Sequence, residues 1–153
     1  VLGRQLQTLI PERPSAMPEF YAEHVPASLP GGELGAFCTG YFECAEWLLP
    51  TDTGESDSID RDKIRGWSAA ARKAMVADCR DFYRSNAELL AQYAEATGRD
   101  MAAAGHDFYL TRERHGAGFW DRGDAPCLRQ LADAAHSAGE AGYPYLHRGW
   151  LCI

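Results

Sequence analysis

Residues 105–122 read GHDFYLTRERHGAGFWDR, and they gather chemically active side chains more densely than any other stretch of the chain. His106, Asp107, His115 and Asp121 are groups of the kind that ligate metals or move protons. Arg112, Arg114 and Arg122 are cations that hold anions or pair with carboxylates. Metal ligation would need three or four of these groups to converge, and three adjacent cations oppose a further positive charge, so no metal is expected. Nucleophilic catalysis would need a serine or cysteine beside a histidine; this stretch has neither, and no Gly-x-Ser-x-Gly elbow occurs anywhere. A phosphate cradle needs glycines between a strand and a helix, whereas Gly116 and Gly118 read more simply as turn and bulge residues. We therefore expect no catalytic residue and no cofactor, and read His106, Asp107, Arg112, His115, Gly116, Gly118, Trp120, Asp121 and Arg122 as a structural motif. The rival is a small enzyme that uses His106, His115 and Asp121 in a cleft.

The elements that must position this motif follow from periodicity. Five prolines within residues 1–31 exclude a sustained helix or a central strand, leaving an extended arm with at most a short helix around Glu19–His24. The arm carries apolar residues such as Leu2, Leu6, Phe20 and Tyr21. It needs a surface, either on its own domain or across a homodimer. Residues 32–153 are expected to form a single domain. Leu34, Phe37, Cys38, Tyr41, Ala45, Leu48 and Leu49 recur at helical spacing up to Pro50. A second helical pattern runs from about Asp62 to Thr97, with a break near Ser85–Glu88, a sequence that resembles a capping box. In 105–122, Phe108 and Leu110 alternate with Tyr109 and Thr111, and Phe119 and Asp121 flank Trp120. Period two with aromatic residues predicts a β-hairpin, with Arg112–Gly116 as its loop. A helix capped by Asp124, with Pro126 in its first turn, should bury Leu128, Leu131 and Ala135 and stop at Gly139. The final YPYLHRGWLCI predicts strand, tight turn and strand. The fold class is thus α+β: an extended arm, two to three helices, a small antiparallel sheet and one further helix.

Charge is unevenly spread. The net charge is −7, yet residues 1–62 hold eleven acids and three bases, and residues 63–153 hold eleven acids and twelve bases. An acidic front half excludes direct nucleic-acid binding, which needs a basic footprint. It suits a basic protein partner instead. The densest acidic set is Asp52, Glu55, Asp57, Asp60 and Asp62, extended by Glu43 and Glu46 on the preceding helix. Its spacing fails the EF-hand calcium pattern. The blander reading is a solvated loop that aids solubility. Five dispersed cysteines without a Cys-x-x-Cys pair argue against a disulfide framework or a zinc site. No apolar run suits a membrane span and no basic-then-apolar leader is evident, so a cytoplasmic location is expected.

GYFECAEW (40–47), DCRDFY (78–83) and above all AGHDFYLTRERHGAGFWDR (104–122) resemble a family of small proteins encoded by bacteriophages and other mobile elements. The resemblance covers roughly residues 34–153 and leaves the arm outside. The family's usual turn is Asn-Gly before His-Gly, where this chain has Glu113–Arg114. The resemblance implies a role in managing the host cell. With the acidic charge, it leads to the expectation of a non-enzymatic inhibitor, an anti-CRISPR that covers a basic DNA-binding surface of a host defence ribonucleoprotein. A phage accessory protein with an unrelated protein partner is the third reading.

Overall fold

The computed structural model describes residues 22–49 and 59–153. These form an α+β fold with, among the described residues, five α-helices and one small mixed sheet. The helices are α1 (Gly32–Trp47), α2 (Ala69–Ser85), α3 (Ala87–Thr97), α4 (Met101–Arg112) and α5 (Pro126–Ala138). The strands are β1 (Gly66–Trp67), β2 (Tyr145–His147) and β3 (Trp150–Cys152).

The predicted hairpin is not there. Residues 101–112 are helix α4, which is followed by a loop and a single 3₁₀ turn at Phe119–Asp121. The reason lies in the position of α4 at the centre of the molecule. Met101, Ala103, Ala104, Gly105 and every residue from Asp107 to Arg112 are buried. A helix covered on nearly all sides needs apolar residues around its whole circumference and so loses its 3.6-residue signature. The alternation of Phe108 and Leu110 was an accident of that uniform burial.

The supposed hairpin loop is a helix stop of a defined kind. Arg114 N–H donates to Thr111 C=O and His115 N–H to Leu110 C=O, each within 3.1 Å. Arg114 lies in the left-handed region at φ 57°. These two bonds are the Schellman arrangement, which favours glycine at the left-handed position. Here that position is arginine. The usual punctuation mark was therefore missing from the sequence.

Helices α1 and α4 cross closely because glycine faces backbone at two points. A Cβ on Gly105 would sit 2.0 Å from Phe37 C=O, and one on Gly40 would sit 1.8 Å from Ala102 C=O. Around this crossing the rings of Phe37, Tyr41, Phe82, Phe108 and Phe119 form one cluster, with Phe82 and Phe108 stacked at 3.9 Å. Offset aromatic pairs of this type contribute about 0.5–1.5 kcal/mol each beyond area burial.

The amphipathic outer helices follow their stripes. Ala71, Met75, Cys79 and Phe82 of α2, Leu90 and Tyr93 of α3, and Leu128, Leu131 and Ala135 of α5 are buried. The break between α2 and α3 falls at Asn86, although no capping box forms and the Asn86 amide turns back to Phe82 C=O. Helix α2 begins later than expected, at a Ser68 cap, because Gly66–Trp67 leaves the helix to pair in parallel with β3. The start of α5 has Pro126 in its first turn, but Ala125 and not Asp124 occupies the cap position. The C-terminal residues form the expected β2–β3 hairpin, turning through Arg148 and Gly149 at φ 50° and 85°.

The arm's helix around Glu19–His24 falls mostly outside the described residues, and residues 22–24 are not helical. Val25 and Leu29 pack against the core of their own chain, so this part of the arm wraps its own domain.

Candidate functional site

The motif residues of 105–122 are organised around Asp107, whose side chain is 0% exposed. Helix α4 points this carboxylate toward the C-terminal end of α3 and the 119–122 turn. Arg122 grips it with two nitrogens, Nη2 to Oδ1 at 2.6 Å and Nε to both oxygens at 3.0–3.1 Å. Tyr93 donates its hydroxyl to Oδ2 at 2.8 Å, and Arg99 Nε donates to the same phenol oxygen at 2.9 Å. A carboxylate taken fully out of water is tolerated only with this degree of pairing. The bond to Asp107 lifts the Arg122 pKa above its ordinary value against the effect of burial. Burial, reinforced by Asp107, pushes the Tyr93 phenol well above its usual range.

One helical turn on, Arg112 makes a second node. Its Nη1 meets Asp78 at 2.7 Å and Tyr41 Oη at 2.8 Å, and Nε donates to Gly139 C=O. Glu113 accepts the N–H groups of Ala141 and Gly142. These two side chains tie the 139–142 segment to α4. Asp121 accepts Gly118 N–H at 2.9 Å and closes the 3₁₀ turn. Gly116 is exposed, Gly118 begins that turn at φ 154°, and Trp120 projects into solvent.

Behind Arg122 opens a cleft of about 380 Å³, lined by Cys44, Trp47, Leu48, Arg99, His106, Leu110, His115, Gly116, Ala117 and Arg122. The two histidines of the motif therefore share one cleft, as the enzyme reading required. Asp121, its third member, is not part of the lining. His106 Nε2 lies 3.2 Å from Glu43, and His115 Nε2 lies 3.3 Å from the Tyr143 hydroxyl. Among the described residues, no group of three or more His, Cys, Asp or Glu side chains could hold a metal ion.

Of the acidic set, the described residues divide between surface and core. Asp52, Glu55 and Asp57 lie outside the described residues. Asp60 and Asp62 are exposed, and Asp60 pairs with Lys63 at 3.2 Å. Glu46 cannot contact a partner because it is completely buried, accepting the N–H groups of Glu23 and His24 and the His24 ring. Its position on α1 made it look like a solvated acid. Its real task is to clasp residues 22–24, a contact between chain segments that no local pattern reveals. Glu43 is one-third exposed and engaged with His106.

The roles of Arg99 and Tyr93 were missed in the sequence because each precedes the motif and meets it only through the fold. The chain matches no family model, and comparison with the curated proteins and the solved structures gives no match. No helix among the described residues is long and apolar enough to cross a membrane.

Proposed function

We propose that this protein is an inhibitor that binds a basic, DNA-binding surface of a bacterial defence ribonucleoprotein, as anti-CRISPR proteins of mobile elements do. The observation that carries this reading is charge segregation: eleven acids against three bases in residues 1–62, beside a nearly balanced remainder. Complementary potential speeds encounter with a basic surface and competes with a polyanion for it. The exposure of Asp60 and Asp62 supports a contact patch at this end of the acidic segment. Glu46 belongs to the core and is withdrawn from the contact set.

The test is binding of the full chain to a purified surveillance complex across a salt series. Affinity should fall steeply with salt, because exposed charges are screened within about 8 Å at physiological ionic strength. Reversing Asp52, Glu55, Asp57, Asp60 and Asp62 to lysine should abolish binding, and His115→Ala should leave it intact. Binding indifferent to both salt and charge reversal overturns the proposal.

The enzyme reading retains one supporting observation, the shared cleft of His106 and His115. It predicts that a His115→Ala variant loses its biological effect while a charge-reversed one keeps it.

A further inference from the structure

The cleft beside Asp107 has a composition that the inhibitor reading does not use. We infer that it is a binding site for a small organic anion, a carboxylate or phosphate monoester on a flat apolar body, held by Arg99 and Arg122. This does not rest on the inhibitor reading and stands or falls separately.

Donor bookkeeping points to the anion. Arg99 spends its Nε–H on the Tyr93 hydroxyl, with that nitrogen 3.8 Å from Asp107. Its terminal N–H groups have no acceptor among the described residues, although its side chain is only 27% exposed. Arg122 gives Nε and Nη2 to Asp107, while its Nη1 has no acceptor there. A guanidinium carries five donors in a fixed fork suited to carboxylate and phosphate oxygens. The side chains of both arginines line the same cleft.

The surrounding acids are already occupied. Asp107 neutralises one of the two cations and is saturated by Arg122 and Tyr93. Asp121 stands 3.7 Å from Arg122 Nε but accepts Gly118 N–H, and Glu43 is hydrogen-bonded to His106. The anchoring through Tyr93 and Asp107 also preorganises both guanidinium groups, which lowers the ordering cost of binding.

The rest of the cleft sets the ligand's body. Cys44, Leu48, Leu110 and Ala117 give an apolar wall and Trp47 an aromatic one. A volume of about 380 Å³ is at the small end for ligand pockets. It has room for a single substituted ring. The ligand class is thus a small organic anion on an aryl or similarly flat body.

The experiment is titration calorimetry of the full chain with benzoate, phenyl phosphate, benzylamine and inorganic phosphate. Both aryl anions should bind with affinity of roughly millimolar or tighter, well ahead of inorganic phosphate, and benzylamine should not bind. The stronger of benzoate and phenyl phosphate identifies the anionic group. Arg99→Met, which keeps much of the side chain's length, should weaken binding at least tenfold. Gly116→Leu provides a variant that leaves the Asp107 network alone: a Cβ there meets nothing within 4 Å, so the added side chain enters open space at the rim. It should obstruct the cleft while preserving the melting temperature. The inference is overturned if neither aryl anion binds, if benzylamine binds as well as benzoate, or if a folded Gly116→Leu protein binds with unchanged affinity.

Discussion

Two carboxylates of this protein, Asp107 and Glu46, are both fully buried, and they are satisfied in different ways. Asp107 faces two guanidinium groups and a phenol, and joins α4 to α3 and to the turn at 119–122. Glu46 faces backbone N–H groups and one imidazole, with Arg61 at 3.9 Å, and pins the incoming segment to α1. The first holds the centre of the domain together and presents two arginines to a cleft. The second is a clasp at the edge. Burial alone therefore does not say what an ionised side chain is for; its partners do.

Removing the charge from each should separate the two. Asp107→Asn leaves Arg122 facing an amide, and breaking a buried pair in this way costs about 3–5 kcal/mol. Glu46→Gln keeps an acceptor for one N–H and should cost about 1–3 kcal/mol. Urea denaturation measures both, and a larger loss at Glu46 would break the comparison. In an Arg122→Met background the Asp107→Asn change should cost much less, which a double-mutant cycle checks.

Glycines of the same motif divide along similar lines. Gly105→Ala drives a methyl into Phe37 C=O at the helix crossing and should cost about 3 kcal/mol. Gly116→Ala meets open space and should stay within about 0.5 kcal/mol. Thermal melts of the two variants test the contrast between centre and rim.

Alkaline pH probes the core alone. Burial raises the phenol pKa of Tyr41, Tyr93 and Tyr109 above the ordinary value of 10. The folded state then holds these protons more tightly than the unfolded chain, so their stabilisation is complete below about pH 10 and declines above it. Denaturation midpoints should fall from pH 10 to 11, and in an absorbance titration of the native protein these three tyrosines should ionise last. Ionisation of all seven tyrosines near pH 10 in the folded protein would contradict their burial. A further small effect concerns the stop of α4. Arg114→Gly removes a left-handed non-glycine residue and should stabilise the protein by about 1 kcal/mol, seen as a higher melting temperature.

The contrast between outer and central helices also explains what could be read beforehand. Helices α2, α3 and α5 touch the core along one side, and Met75, Cys79, Phe82, Leu128 and Leu131 declared it by their spacing. Helix α4 has no exposed side to provide contrast, and its stop carries Arg114 where glycine would have signalled a turn. The same residues therefore present the spacing of a strand. Of the cleft, His106 and His115 are legible in the motif and both line it, but Arg99 lies before α4 and comes beside Tyr93 and Asp107 only through the fold.

By itself the sequence determined the α+β class, the amphipathic helices and the terminal hairpin, because spacing, prolines and glycines act over a few residues. It also determined the uneven distribution of charge. Tertiary structure decided which carboxylates count as surface, which helix lies at the centre, and which two arginines share a cleft. Burial and pairing are properties of groups far apart in the chain, and only folding brings those groups within hydrogen-bonding distance.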